Sequence, residues 1–191
     1  MGMDMGMGMD ITTKMKKSKV LVTGTAGFIG FHLAKFHEKK GDKLFLLDNF
    51  FYENISKKNF LCLKDNYLLV ELSYYQPPVN LFEILFELQV NGFIPVLAHP
   101  ERYSFFYSNF NEYIKLKKIG VEFQLNLLST VDYYGNDVRK ISDKLLKNNM
   151  IDYVGTDIHT KEHISSIKNS ILKISEISKL KEAIENNSKF I

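Results

Sequence analysis

Apolar residues along this chain fall into two alternating rhythms. Short continuous or two-period apolar runs occupy Lys19–Thr23, Lys43–Asp48, Tyr67–Glu71, Phe93–Ala98, Val121–Asn126 and Ile151–Gly155, and these predict strands. Between them lie segments with helical spacing: from about Gly30 to Lys40, Leu81 to Val90, Asn111 to Ile119, and Asp137 to Asn148. In the second of these, Leu81, Ile84, Leu85 and Leu88 share one face. Gly41, Gly92 and Gly120 stand just past three of these segments, where a helix turns out through a left-handed residue. Phe60–Leu63 and Tyr67–Glu71 flank Lys64-Asp65-Asn66, which predicts a hairpin. Amphipathic segments near His163–Ile174 and Leu180–Glu185 close the sequence.

Strands alternating with helices predict an α/β fold with a parallel sheet or barrel. Residues 49–56 show no clear period and mark a junction. The expected organisation is a disordered leader over residues 1–17, a Rossmann-like strand–helix–strand unit over 18–50, and a second domain over 57–191. The leader alternates Met with Gly and Asp and lacks the apolar stretch of a signal peptide; Met15 is a candidate start.

Composition changes this picture little. Of 191 residues, 45% are hydrophobic and 25% charged, which is an ordinary globular balance. The net charge of +3 is spread among acidic residues and gives no argument for nucleic-acid binding. No apolar run approaches the ~20 residues of a membrane span, so no membrane insertion is expected. Cys62 is the single cysteine, which points to a reducing cytoplasm and not to a disulfide framework.

The polar residues carry more. Glu71, His99, Asn126 and the pair Asp157 and His159 all fall at or just past the C-terminal ends of predicted parallel strands. That rim is where βα folds build their sites. Imidazole nitrogen with carboxylate oxygen suits Mn, Fe, Zn or Mg. Arg102, three residues past His99, offers a planar fork for phosphoryl oxygens. Taken singly, each has a bland explanation: a structural histidine, a surface salt bridge for Arg102, a helix cap for Glu71. Together on one rim they predict a metal site.

Residues 68–78 (LLVELSYYQPP), 86–103 (FELQVNGFIPVLAHPERY), 123–129 (FQLNLLS) and 152–160 (DYVGTDIHT) resemble consecutive motifs of the polymerase-and-histidinol-phosphatase family. The branch they most resemble is the manganese-dependent tyrosine phosphatases of capsule and exopolysaccharide operons. The resemblance runs in order over residues 57–191. It implies part of a distorted βα barrel, Mn²⁺ or a similar ion as cofactor, and hydrolysis of phosphotyrosine on a partner protein, a bacterial tyrosine autokinase. It makes Glu71, His99, Asp157 and His159 the metal ligands, with Arg102 and His159 acting in catalysis. The family's opening His-x-His motif has no counterpart here, since His32 and His37 are the only histidines before His99. The resemblance therefore implies an impaired phosphatase or a catalytically dead, kinase-binding remnant.

Residues 20–34 (VLVTGTAGFIGFHLA), with Asp48 at the end of the next strand, resemble instead the opening of nucleotide-sugar epimerases. Gly24, Gly27 and Gly30 would permit a tight turn, backbone approach to a pyrophosphate, and close helix–strand packing, with Asp48 accepting a ribose hydroxyl. This implies an NAD-binding fragment, although one strand–helix–strand unit is half a dinucleotide site. Tyr113 and Lys117 have the spacing of the epimerase catalytic pair, but they lie within the phosphatase-like region and read as an exposed helical face.

Overall fold

The computed structural model describes residues 60–191, except 61, 73, 75, 79 and 171–175. Gly24, Gly27, Gly30 and Asp48 lie outside the described residues, as do the leader and the expected unit over 18–50.

Four strands, β1 (Tyr67–Val70), β2 (Ile94–Ala98), β3 (Glu122–Asn126) and β4 (Tyr153–Gly155), form one sheet in sequence order. Every neighbouring pair is parallel: Leu69 faces Val96, Leu97 faces Phe123, and Leu125 faces Val154. Parallel neighbours need a crossover, and helices supply it. α1 (Leu81–Val90) joins β1 to β2, α2 (Asn111–Lys118) joins β2 to β3, and α3 (Asn136–Lys147) joins β3 to β4. α4 (Lys161–Ser170) and α5 (Ile177–Asn186) follow β4, each offset from its sequence-expected bounds.

The three crossovers end alike. Gly92 (φ 87°), Gly120 (φ 85°) and Asn149 (φ 54°) each take the left-handed conformation after the helix. In each, the next residue's N–H reaches back five residues: Phe93 to Leu88, Val121 to Leu116, Met150 to Leu145. The left-handed residue itself reaches back three, to Gln89, Lys117 and Leu146. This is the Schellman arrangement with its apolar contact, and all six of those apolar residues are buried. A repeated stop of one geometry delivers each new strand into the sheet in register with the last, so their C-terminal ends share one rim.

The interior strand β2 is buried from Pro95 to Ala98. Leu68, Val70, Leu85, Leu88, Leu97, Leu116, Phe123 and Leu145 lie in the main core. A smaller cluster of Leu125, Leu146, Val154, Leu180 and Ala183 seats α5 beneath β4.

Two expectations are corrected. Among the described residues the hairpin before β1 reduces to a single antiparallel bridge, Lys64 with Tyr67, closed by Asp65 at φ 49°. Leu63 N–H donates to the Tyr67 carbonyl and Tyr67 N–H to the Lys64 carbonyl. The turn is real, and the full ladder of β1 lies on its other side, with β2. Tyr113 is fully buried and not on an exposed face: its hydroxyl donates to the Pro100 carbonyl, and its ring packs on Phe106 and Phe123. Lys117 pairs with Asp152, so the epimerase-like spacing of these two residues is spent on packing and an ion pair.

Candidate metal and phosphate site

β1 ends at Val70, and Glu71 is the first residue beyond it. β2 ends at Ala98, and His99 N–H still donates to the Gln124 carbonyl at 2.7 Å, one step past the strand. His99 then takes a left-handed conformation (φ 35°) and starts a tight turn over Pro100–Arg102. Asp157, beyond β4, is also left-handed (φ 45°). Asp and His tolerate this region better than most residues, and such conformations gather where a site is built. The reversal comes one residue past β2 and two past β4 and fixes the side chain at the rim.

The turn after β2 is held from several sides. Tyr103 is buried, and its hydroxyl accepts from Leu72 N–H at 2.8 Å, tying the turn to the segment that carries Glu71. Tyr113 Oη donates to the Pro100 carbonyl at 3.2 Å, and Tyr107 Oη to the Glu101 carbonyl at 2.9 Å. Glu101 is wholly buried; its Oε1 accepts from Asn126 N–H at 3.0 Å and from Ser129 Oγ at 2.6 Å. Burial pushes its carboxyl above the ordinary range, opposed by the charge of His99 and by those hydrogen bonds. Asn126, the remaining rim residue singled out in the sequence, turns its side chain inward and caps the following turn through Leu128 N–H at 2.9 Å.

The residues expected to hold a metal meet as two pairs. His99 Nε2 lies 3.3 Å from Glu71 Oε1. Tyr74 Oη stands 3.4 Å from each, and its ring stacks on His99. In the second pair, His159 Nε2 lies 2.6 Å from Asp157 Oδ1. Arg102 joins the two: Nη1 donates to Asp157 Oδ2 at 3.1 Å, and its guanidinium carbon sits 4.7 Å from the Tyr74 ring centre and 4.1 Å from that of Tyr134. Tyr74 feels Arg102, Glu71 and Asp157 together; its phenol is pushed well above the ordinary range, chiefly by burial. Side-chain exposure rises from 8% at His99 and 18% at Arg102 to 27% at Glu71, 33% at Asp157 and 54% at His159. The site therefore has a floor at β2 and a mouth beside β4.

Among the described residues no three His, Cys, Asp or Glu side chains converge as a metal-holding group. Each pair nevertheless fits one side of an ion. Two donors at ordinary bond lengths on adjacent positions of a small divalent ion stand about 3 Å apart, as His99 Nε2 and Glu71 Oε1 do. Such an ion keeps several waters and needs only one or two carboxylates from the protein when a phosphate completes its shell. Nitrogen and oxygen donors suit Mn, Mg or Zn alike. Sequence reasoning missed Tyr74, Tyr134 and Glu101. The tyrosine pairs that the sequence carries before Gln76 and Gly135 were the available signal.

The strand ends of this parallel sheet thus carry two imidazole–carboxylate pairs and an arginine. The family model for capsular polysaccharide synthesis proteins of the CpsB/CapC type matches residues 10–185, and the chain belongs to that family. The match runs through the region that resembles an epimerase opening. CapC of Staphylococcus aureus is 30% identical over 109 residues, covering 56% of this chain and 43% of CapC. The tyrosine-protein phosphatase YwqE of Bacillus subtilis is 30% identical over 108 residues, covering 56% of this chain and 42% of YwqE. The chain thus spans less than half the length of these curated relatives. Among solved structures, a chain from the work on YwqE of Bacillus subtilis and CpsB of Streptococcus pneumoniae, described as unique metal-dependent tyrosine phosphatases, superposes with a TM-score of 0.57. It is 23% identical; the match covers 76% of this chain and 64% of that one, and it shows a shared fold.

Proposed function

We propose that this chain is a metal-dependent protein-tyrosine phosphatase of capsule or exopolysaccharide synthesis. It acts in the cytoplasm on a phosphotyrosine protein, with a tyrosine autokinase as partner. The observation that supports this most is the rim itself: Glu71 with His99, and Asp157 with His159, flank one guanidinium in a chain of the CpsB/CapC family. The sheet is read as part of the barrel that the family resemblance implies. The segment over 18–50 is read as epimerase-like in origin, without a working NAD site.

Glu71 and His99 would hold one side of a Mn²⁺ or similar ion, and Asp157 and His159 would hold the other. When bound, the ion supplies polarisation of a phosphoryl oxygen and neutralisation of its charge. Arg102 is placed to fork onto the remaining phosphoryl oxygens, steadied by the tyrosine rings on either side. A phosphate that takes Nη1 would displace Asp157 and free that carboxylate for the ion. Tyr74 and Tyr134 put aromatic surface where the phenyl ring of an aryl phosphate would lie. The buried floor excludes water from the His99 side. With four donors, and no His-x-His motif in the chain, weak turnover is expected.

The test is hydrolysis of para-nitrophenyl phosphate and of a phosphotyrosine peptide, with Mn²⁺ and with chelator. Turnover should require Mn²⁺, and His99→Ala should lower it at least about ten-fold. Arg102→Lys, which keeps the charge and loses the fork, should lower kcat/KM roughly ten-fold or more. Undiminished hydrolysis by His99→Ala would defeat the proposal.

A further inference from the structure

Arg102 stands at the end of a row of rings. The centre of the Tyr134 ring lies 4.1 Å from its guanidinium carbon, and Tyr133 stands edge-on to Tyr134 at 4.9 Å. Beyond it the His163 ring meets Tyr133 at 5.2 Å. His163 is tied to the segment that carries the outer pair: its Nδ1 lies 3.2 Å from the Asp157 carbonyl oxygen and 3.3 Å from the His159 amide nitrogen. The row therefore crosses the mouth of the site, from Arg102 to the segment of Asp157 and His159. Tyr133 is the one exposed ring among the described tyrosines, at 40%. We propose that Tyr133 determines specificity: its open surface receives the phenyl ring of an aryl phosphate whose phosphoryl group is forked by Arg102. This rests on the function proposed above and adds the residue that separates aryl from alkyl phosphates.

The turn that presents Tyr133 is held at both ends. Asp132 takes the left-handed region at φ 61°, and Gly135 lies at φ 97°. Gly135 N–H donates to the Asp132 carbonyl at 3.0 Å, which closes a turn with the two tyrosines at its centre. Arg139 pins it from α3: Nη1 donates to Asp132 Oδ2 at 2.6 Å, and Arg139 N–H donates to the Gly135 carbonyl at 3.2 Å. A left-handed backbone is costly for a residue with a Cβ. An aspartate held there by its own ion pair sets the direction in which the next residue leaves the turn.

The other rings beside Arg102 are already engaged. Tyr74 has the guanidinium carbon 4.7 Å from its centre and stacks on His99. Tyr134 has the guanidinium against it, and its hydroxyl accepts from Asn126 Nδ2 at 3.4 Å. These two border the phosphoryl end of a ligand. The ring of an aryl phosphate projects outward from there, and Tyr133 is the next aromatic surface toward solvent. Its contacts with Tyr134 and His163 are close to perpendicular, at 84° and 85°, so they set its plane and neither ring lies flat on it. A bound phenyl ring gains an aromatic partner at Tyr133, and an alkyl group gains none. Such a pair is worth about 2–10-fold in affinity.

The test uses two phosphonates that cannot be hydrolysed, benzylphosphonate and methylphosphonate, titrated by calorimetry into the full chain with Mn²⁺. The wild type should bind benzylphosphonate more tightly. Tyr133→Ala should weaken that ligand roughly 2–10-fold and leave methylphosphonate as it was. Tyr133→Phe, which keeps the ring, should match the wild type. An unchanged ratio in Tyr133→Ala overturns the proposal, and so does an equal loss of both ligands, which would mark Tyr133 as structural support for Arg102. Weaker benzylphosphonate binding in Tyr133→Phe also overturns it, since the hydroxyl and not the ring would then be the contact. Should Tyr133→Ala fail to fold, the wild type decides. With diamagnetic Mg²⁺ in place of Mn²⁺, nuclear Overhauser contacts should connect the bound benzyl ring to the Tyr133 ring, and their absence from a chain with the ligand bound overturns the proposal. A wild type that binds neither phosphonate refutes the phosphate site itself and removes the ligand assigned to Tyr133. A wild type that binds both equally leaves that site standing and refutes only the aryl contact.

Discussion

Removing one oxygen from Tyr103 tests whether the turn after β2 holds the end of β1 in place. Tyr103→Phe keeps the ring and therefore its contacts with Phe105 at 5.5 Å, Phe106 at 6.4 Å and His99 at 5.5 Å. What it deletes is the acceptor for Leu72 N–H, in a place where both residues are buried. An orphaned buried donor loses its hydration without replacement, at about 1–3 kcal/mol. With a urea dependence of about 1–3 kcal/mol per molar, the midpoint should fall by roughly 0.5–1.5 M. Two neighbouring tyrosines calibrate this. Tyr113→Phe leaves the Pro100 carbonyl short of a bond, but that oxygen still accepts from Tyr103 N–H at 3.4 Å. Tyr107 is half-buried, so water can reach the Glu101 carbonyl in Tyr107→Phe. The expected order of loss is Tyr103, then Tyr113, then Tyr107. Urea titration gives the order, and amide hydrogen exchange at Leu72 gives the local cause. If Leu72 exchanges at the wild-type rate in Tyr103→Phe, or Tyr107→Phe proves as damaging, the tether does not hold Glu71 in place.

Two further outcomes follow from the backbone and from ionisation. Gly92→Ala and Gly120→Ala both force a left-handed alanine, at about 1–2 kcal/mol each. The new methyl at Gly120 would also stand 3.1 Å from Gln89 Nε2, which donates to the Ile119 carbonyl, whereas the space at Gly92 is open; urea midpoints should show Gly120→Ala the worse by about 1 kcal/mol. Burial, with Glu101 and Asp137 nearby, pushes the Tyr107 phenol up to about 12 from an ordinary 10.0. The folded chain thus keeps a proton that the unfolded chain releases, so this contribution is whole below pH 10 and is lost as pH rises toward 12. Unfolding followed across that window should be less steeply pH-dependent in Tyr107→Phe, and an unchanged slope would count against it.

What could be read in the sequence, and what could not, divides by the range of the interactions involved. The strand–helix alternation and the helix stops depend on neighbours a few residues away, so Gly92 and Gly120 declared themselves. Asn149 performs the same turn and was less visible, because asparagine takes that conformation only as one option among several. Among the described residues the hairpin shrinks to the Lys64–Tyr67 bridge, while the ladder of Tyr67–Val70 lies with Ile94–Leu97, a pairing too distant in sequence for local reading. Tyr113 looked exposed because its helix carries Lys115, Lys117 and Lys118, and nothing local announces that its hydroxyl seeks the Pro100 carbonyl. Glu101 is the sharpest case. In His-Pro-Glu-Arg it reads as one more surface acid, and only Asn126 and Ser129, at the end of another strand, explain its burial.

The same division explains how the site is laid out. Glu71 and His99 follow a strand directly and Asp157 stands one residue further from β4, so the sheet largely sets their spacing, and a reader of strand ends can find them. The residues packed around those donors come from turns: Tyr74 beside His99 and Tyr134 beside Arg102. Arg102 occupies the centre and is paired with Asp157. A cation at Asp157 and a phosphate at Arg102 would each break that pair, and each would leave the other's partner free. Binding of either should therefore favour binding of the other, because the energy of breaking the pair is spent once and serves both.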